Sequence, residues 1–189
     1  VLHPGSYKGQ AMEQGIAAVA GSLTAAARGL GGGHLMLLLE NTAGSGSALG
    51  SRFEELAAIR EAAQPGMDLA IGYCLDTAHC LAAGYDVATE AGLARTMREA
   101  RSVLGLDRVR VLHTNDSKAP PGSRVDRHAH IGEGYIGMQG FRRILQHPRL
   151  REKAFILETP IDREGDDRRN LQKLKRLCPK SRTTTDRSS

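Results

Sequence analysis

Short apolar runs alternate along the chain with longer stretches in which apolar residues return every third or fourth position. Met12, Ile16, Val19, Leu23 and Ala27 recur at that helical spacing and predict a helix from about Gly9 to Leu30, ended by Gly31-Gly32-Gly33. His34 to Glu40 then reads as a buried strand. Ser51 and Glu54 form an S-x-x-E pattern that opens the next helix with a capping box. Asp68 to Asp76 is a third strand (after a stub at Val1-Leu2), and Thr77 to Asp86 a loop with room for one helical turn. Thr89 to Leu104, with Leu93, Met97, Ala100 and Val103 on one side, is a helix, and Arg108 to Thr114 the fourth strand. Asn115 to Ile136 shows little periodicity, and loops this long within a compact domain are usually functional. A helix from Gly137 to Leu150 (broken near Pro148), a strand from Ala154 to Thr159 and a helix from Asp166 to Leu177 complete the pattern.

Strands that are apolar throughout and separated by helices call for an α/β fold with a parallel sheet covered on both faces. Metal-binding side chains at the carboxyl ends of these strands favour a TIM barrel over an open sheet, since parallel closure brings all the strand ends to one rim. Five strands are visible and a barrel has eight, so the expectation is a partial barrel holding about the last five strand–helix units, with three more upstream of Val1. Any targeting segment would lie upstream as well. The domain is expected to occupy 1–179 and a disordered basic tail 180–189.

The candidate ligands are His3, Glu40, Asp76, His79, His113, the Asp126/His128 pair and Glu158. Imidazole nitrogens and carboxylate oxygens without paired thiolates describe a zinc or manganese site open to substrate. Asp126 and His128, two apart in an extended segment, point the same way. Asp76 and His79 leave a strand end and turn into a loop, so each can face a different metal. Glu40 and Glu158 close apolar strands, where a carboxylate is costly unless paired or metal-bound. His34, His130 and His147 are read as ordinary core or surface histidines, His130 being the rival of His128 because it shares its parity. Gly132-Glu133-Gly134-Tyr135-Ile136-Gly137 matches G-x-G-x-x-G, but no apolar strand leads into it; a turn shaping the rim of the site is the better reading.

Composition changes this picture little. The 189 residues are 40% hydrophobic and 25% charged, ordinary for a soluble globular chain, and no apolar run nears the roughly 20 residues a membrane span needs. Net charge is +5. Lys180, Arg182 and Arg187 against Asp186 supply +2 of it, and the modestly basic remainder suits a phosphate-rich partner only weakly. Cys74, Cys80 and Cys178 form no CxxC pair, which points to a reducing compartment: cytoplasm, nucleoid or nucleus.

Six blocks carry a resemblance. His3-Pro4-Gly5-Ser6, Glu40-Asn41-Thr42-Ala43-Gly44, Cys74-Leu75-Asp76-Thr77-Ala78-His79, His113-Thr114-Asn115-Asp116-Ser117-Lys118, Gly122-Ser123-Arg124-Val125-Asp126-Arg127-His128 and Leu157-Glu158-Thr159-Pro160 occur in the order and with the gaps of endonuclease IV. From Val1 to about Pro160 the chain resembles this family of zinc-dependent apurinic/apyrimidinic endonucleases of base-excision repair. The resemblance implies a xylose-isomerase-like TIM barrel with three zincs in the complete enzyme, manganese being an alternative at one site. Glu40 would bridge two zincs, with His3 on the first; Asp76, His113 and Glu158 would complete the second, and His79, Asp126 and His128 would hold the third. The implied reaction cuts the phosphodiester 5′ to an abasic site in double-stranded DNA, with Glu158 orienting or deprotonating the attacking water. Lys118, Arg124 and Arg127 would grip DNA phosphates, the alternative for each being a pair with a local carboxylate such as Asp116. A monomer is expected. The chain departs from the family pattern in lacking an upstream histidine on the first zinc, and in Tyr7 and Ala78. Two other functions fit the same barrel: a metal-dependent sugar isomerase or epimerase, which has no need of the third ligand set, and a metal- or DNA-binding remnant without catalysis.

Overall fold

The computed structural model describes residues 1–30 and 33–178; the expected glycine helix stop at 31–32 and the basic tail lie outside them. Four parallel strands form the sheet in chain order: β1 (Met36–Glu40), β2 (Ala70–Asp76), β3 (Val109–His113) and β6 (Ala154–Ile156). The Val1-Leu2 stub extends it at the β1 edge, where Leu2 N–H donates to the Leu38 carbonyl at 2.8 Å and Glu40 N–H to that of Leu2 at 2.9 Å. The helices are α1 (Met12–Ala26), α2 (Phe53–Ala63), α3 (Thr77–Ala83), α4 (Glu90–Val103), α5 (Gly137–Gln146) and α6 (Asp166–Lys175). A two-residue hairpin ladder, β4 (Asp116–Ser117) against β5 (His128–Ala129), organises the long loop.

Side chains alternate along a strand, and here the two faces differ. Leu37, Leu39, Tyr73, Leu75 and Leu112 turn toward the helices and join Phe53, Leu56, Ile59, Phe141 and Ile144 in the core. Met36 and Ile156, on the other face, are 41% and 44% exposed. Among the described residues the helices therefore cover one face, not both: the second belongs to the concave interior of a barrel, and the ligand-bearing strand ends open onto it.

Three local expectations change. Thr77–Ala83 is a seven-residue helix rather than a loop. Asp76 caps it by accepting His79 N–H at 2.8 Å, and Gly84, at φ 102°, ends it. Residues 77–82 are all buried, so no polar face exists to reveal a helical period. At α2 the Ser51/Glu54 box does not form. Glu55, one residue later, accepts Gly50 N–H at 2.7 Å, and the Tyr85 hydroxyl accepts Phe53 N–H at 3.1 Å, a first-turn donor that Ser51 could have served. The last strand stops at Ile156 instead of Thr159, because Glu158 N–H leaves the ladder for Asn115 Oδ1 at 2.8 Å. Among the described residues no helix is long and apolar enough to cross a membrane.

Candidate metal centre

Strand register builds the site. Asp76 lies opposite His113, and His113 opposite Ile156, while Glu40 ends the neighbouring strand opposite Cys74. The β2–β3 pairing shifts between Tyr73 and Cys74, so that Cys74 meets Val111 and Arg110 is the extra residue; without this bulge Asp76 and His113 would be out of step. Glu40, Asp76, His113 and Glu158 offer ligand atoms that all lie within 4.8 Å of one another, and so do His3, Glu40 and His79, and Asp76, His79 and His128. His113 Nδ1 is 2.9 Å from Glu40 Oε1 and 3.0 Å from Glu158 Oε2; His3 Nε2 is 3.2 Å from Glu40 Oε2. Asp126 reaches across from the long loop, with Oδ2 at 3.2 Å from His79 Nε2 and Oδ1 at 3.4 Å from His128 Nε2. All eight residues expected as ligands thus converge on one rim. One detail differs from the grouping implied by the family: Asp76, not Asp126, makes the compact trio with His79 and His128, whereas Asp126 spans the two imidazoles with one oxygen each.

The donor atoms are oriented for a cation. His79 Nδ1 donates to the Asn41 carbonyl at 2.9 Å and His128 Nδ1 to the Glu158 carbonyl at 3.0 Å, so Nε2 is the ring atom that each turns into the site. His128 Nε2 is buried with no hydrogen-bond partner among the described residues, an orphan that a cation would satisfy. Four imidazoles against four carboxylates, with no thiolate, suit zinc or manganese. Cys74 lies close to Glu40 and His113, but burial pushes its thiol far up, and it stays a protonated core residue. The charges are mutually tuned. Burial works against it, yet bonds to Asp126 and Glu40 raise His79 to about 11. The bond to Glu40 raises His3; burial opposes the same effect at His113 without cancelling it. Glu40 is held low by His113, His3 and His79 despite its burial, and Asp126 is lowered chiefly by its bond to His79. Metal entering such a site displaces protons.

Sequence reading missed two supporting amides. Asn41 is wholly buried, accepts Asp76 N–H at 2.7 Å and returns Nδ2–H to the Asp76 carbonyl at 3.3 Å. Asn115, also wholly buried, donates to Asp76 Oδ2 at 2.5 Å while accepting Glu158 N–H. Each follows or sits near a ligand at a strand end, where an asparagine reads as a turn former; their place next to Glu40 and His113 was the available signal.

Lys118, Arg124 and Arg127 are exposed along the loop beside Asp126 and His128 and make no salt bridge among the described residues. Arg127 donates only to the Asp126 carbonyl, at 2.7 Å. Asp116 is no partner for any of them: it is wholly buried and accepts N–H groups from Ser117, Gly132, Gly134 and Ile136 at 2.9–3.0 Å. The G-x-G-x-x-G turn therefore wraps an internal carboxylate, and its donors are spoken for. An added Cβ on Gly134 would run into Asp116 and the Ser117 carbonyl. His130 is outside the site, bonded to Asp162 at 3.1 Å; His34 is exposed, and His147 Nδ1 accepts Arg149 N–H at 3.2 Å.

A partial barrel with histidines and carboxylates gathered at its strand ends belongs to a known class: the chain is a member of the xylose isomerase-like TIM barrel family, matched over residues 1–177. Within that class it is similar to the probable endonuclease 4 of Solibacter usitatus, 60% identical over 178 residues that make up 94% of this chain and 61% of that one. The probable endonuclease 4 of Chloroflexus aurantiacus is 44% identical over 178 residues, again 94% of this chain and 62% of the relative. Among solved structures, endonuclease IV from Thermus thermophilus superposes with a TM-score of 0.71 at 40% identity, covering 93% of this chain and 59% of that one. The resemblance to endonuclease IV drawn from the six blocks is thereby borne out. The chain spans about three fifths of the length of these relatives.

Proposed function

We propose that this chain carries the metal centre of a DNA repair endonuclease that cleaves the phosphodiester 5′ to abasic sites, with zinc as the metal and three ions in the complete enzyme. The observation that carries the reading is the convergence of four imidazoles and four carboxylates, drawn from strand ends and one loop, within hydrogen-bonding reach of one another. Glu40 faces His3 on one side and His113 on the other, as a bridging carboxylate must. Asp76, His113 and Glu158 would complete one ligand set with Glu40, and His79, Asp126 and His128 would hold another, with Asp76 close enough to the last group to support it. Divalent cations held there would lower the pKa of a water and neutralise charge on the attacked phosphate.

The chain's own groups do the rest. Glu158 is the half-exposed member of the four-residue group, its side chain 48% accessible, so it faces the opening and can orient or deprotonate a water. Lys118, Arg124 and Arg127 flank that opening as unpaired cations for the backbone of double-stranded DNA. Arg124 is held at φ 56° by its N–H on the Ala82 carbonyl and by Ser45 Oγ on its own carbonyl, so its position is fixed although its side chain is exposed. The protein would act as a monomer. Against a sugar isomerase stands the second imidazole–carboxylate cluster of His79, Asp126 and His128, which an isomerase does not use.

The test is nicking of a duplex oligonucleotide with one abasic site by the zinc-loaded chain. Cleavage that disappears with chelator and in Glu158→Gln is expected. A zinc-loaded chain that leaves the abasic strand intact would reduce the reading to a metal- or DNA-binding remnant, and one or two metals per chain with turnover of a ketose or aldose would replace it by the isomerase.

A further inference from the structure

We infer that Asn170, on the outer helix α6, is a positioning residue of the metal centre: it clamps the segment after His128 to the residue after Glu158. The inference rests on the metal-centre reading above. Asn170 is 1% exposed, and its amide is fully used. Oδ1 accepts Ile131 N–H at 3.0 Å, and Nδ2 donates to His130 Nδ1 at 3.0 Å and to Thr159 Oγ1 at 3.0 Å. A side-chain amide has two N–H donors, and here both are spent on segments that are far apart in sequence.

The consequence runs to the ligands on both sides. Thr159 directly follows Glu158, and His130 and Ile131 come two and three residues after His128. Between these segments His128 Nδ1 donates to the Glu158 carbonyl at 3.0 Å. Four hydrogen bonds thus tie the two strips together, and Asn170 makes three of them. With the strips held, His128 Nε2 faces Asp126 at 3.4 Å and Asp76 at 3.8 Å instead of swinging toward solvent. Asn170 also fixes the tautomer of the rival histidine. Since His130 Nδ1 accepts, its Nε2 carries the proton and donates to Asp162 Oδ2 at 3.1 Å, so the ring is turned away from the rim. Packing alone would not call for an amide here. Leu174 and Leu177 anchor α6 to the core, and an apolar side chain of similar size at 170 would extend that contact without the cost of burying polar atoms.

The experiment uses the 189-residue chain in three variants. Asn170→Leu removes all three bonds; Asn170→Asp keeps an acceptor for Ile131 N–H but loses both donors; Leu174→Ala, on the same helix, opens a cavity in the core and removes no hydrogen bond to either strip. Zinc retained per chain is followed against a chelator gradient, together with thermal stability, and the His128 ring tautomer is read by long-range proton–nitrogen NMR in the metal-free protein. The expectation is a fall of about 10-fold in the chelator concentration that strips half the zinc in both Asn170 variants, the lower end of the effect of losing a direct outer-shell partner, because Asn170 acts through the ligands' neighbours. His128 should also lose its single Nδ1-protonated tautomer. Leu174→Ala should lower the melting temperature while leaving both readouts at wild-type values. Wild-type zinc retention in both Asn170 variants, or equal zinc loss in Leu174→Ala, would overturn the inference, as would a wild-type chain that holds no zinc. A zinc-retaining wild-type chain that fails to nick abasic DNA would instead sink the nuclease reading and leave the positioning role standing.

Discussion

Asp116 is a carboxylate with no cation beside it among the described residues, and backbone N–H groups converge on it from Ser117 and the 132–137 turn. Removing the acceptor would strand several buried donors at once, each costing about 1–3 kcal/mol. Asp116→Ala is therefore expected to destabilise the chain by at least about 3 kcal/mol in denaturant unfolding, with Asp116→Asn intermediate; a loss below about 1 kcal/mol would mean that the turn is held by something else. At this scale the legibility of the sequence was uneven. The candidate ligands stood out because imidazoles and carboxylates at the ends of apolar runs have few structural excuses. Asp116, Asn41, Asn115 and Asn170 could not, since residues of these types are common in turns and nothing local says that they are buried.

Among the elements, α4 shows how an end cap and a glycine cooperate. Asp86 accepts N–H from Ala88 at 2.9 Å and Thr89 at 3.0 Å, and Thr89 Oγ1 accepts Gly92 N–H at 3.0 Å. An ideal Cβ at position 92 would collide with the Asp86 carboxylate, so the first turn of α4 admits only glycine there. Burial opposes it, but the bonds from Thr89 and Ala88 hold the Asp86 carboxyl below its ordinary value of 3.8. A depressed folded-state pKa means stability that is present above the unfolded value and lost as pH falls through the folded one. Asp86→Ala is expected to cost about 1 kcal/mol near neutrality, the usual net value of a lost hydrogen bond at a partly exposed turn. The gap to wild type should narrow below about pH 4 in pH-resolved thermal melts; a gap that stays constant down to about pH 2 would show that the charge contributes nothing. The amphipathic α4 was readable from its period, whereas α3 was not, because every residue from 77 to 82 is buried.

For the whole molecule, the decisive feature is a parallel sheet whose carboxyl ends feed one centre. Its candidate ligands come from His3 to Glu158, so ions seated there would tie together most of the chain and would bind the unfolded chain far less well. Saturating zinc at about 100 times its dissociation constant should stabilise the fold by about 2.7 kcal/mol, seen as a melting temperature that rises with zinc and returns with chelator. A melting temperature indifferent to zinc would count against a centre that spans the sheet.

What the sequence determined by itself was the kind and order of the elements, the donor chemistry and the likeness to endonuclease IV, because strand and helix periods and ligand types are local properties. Which donors lie together was a matter for the tertiary structure alone. That grouping follows from the bulge that brings Asp76 level with His113, from the hairpin ladder that carries Asp126 over His79, and from an amide on the last helix that holds His128 against Glu158. Each of these depends on contacts between segments tens of residues apart, and no periodicity along the chain records them.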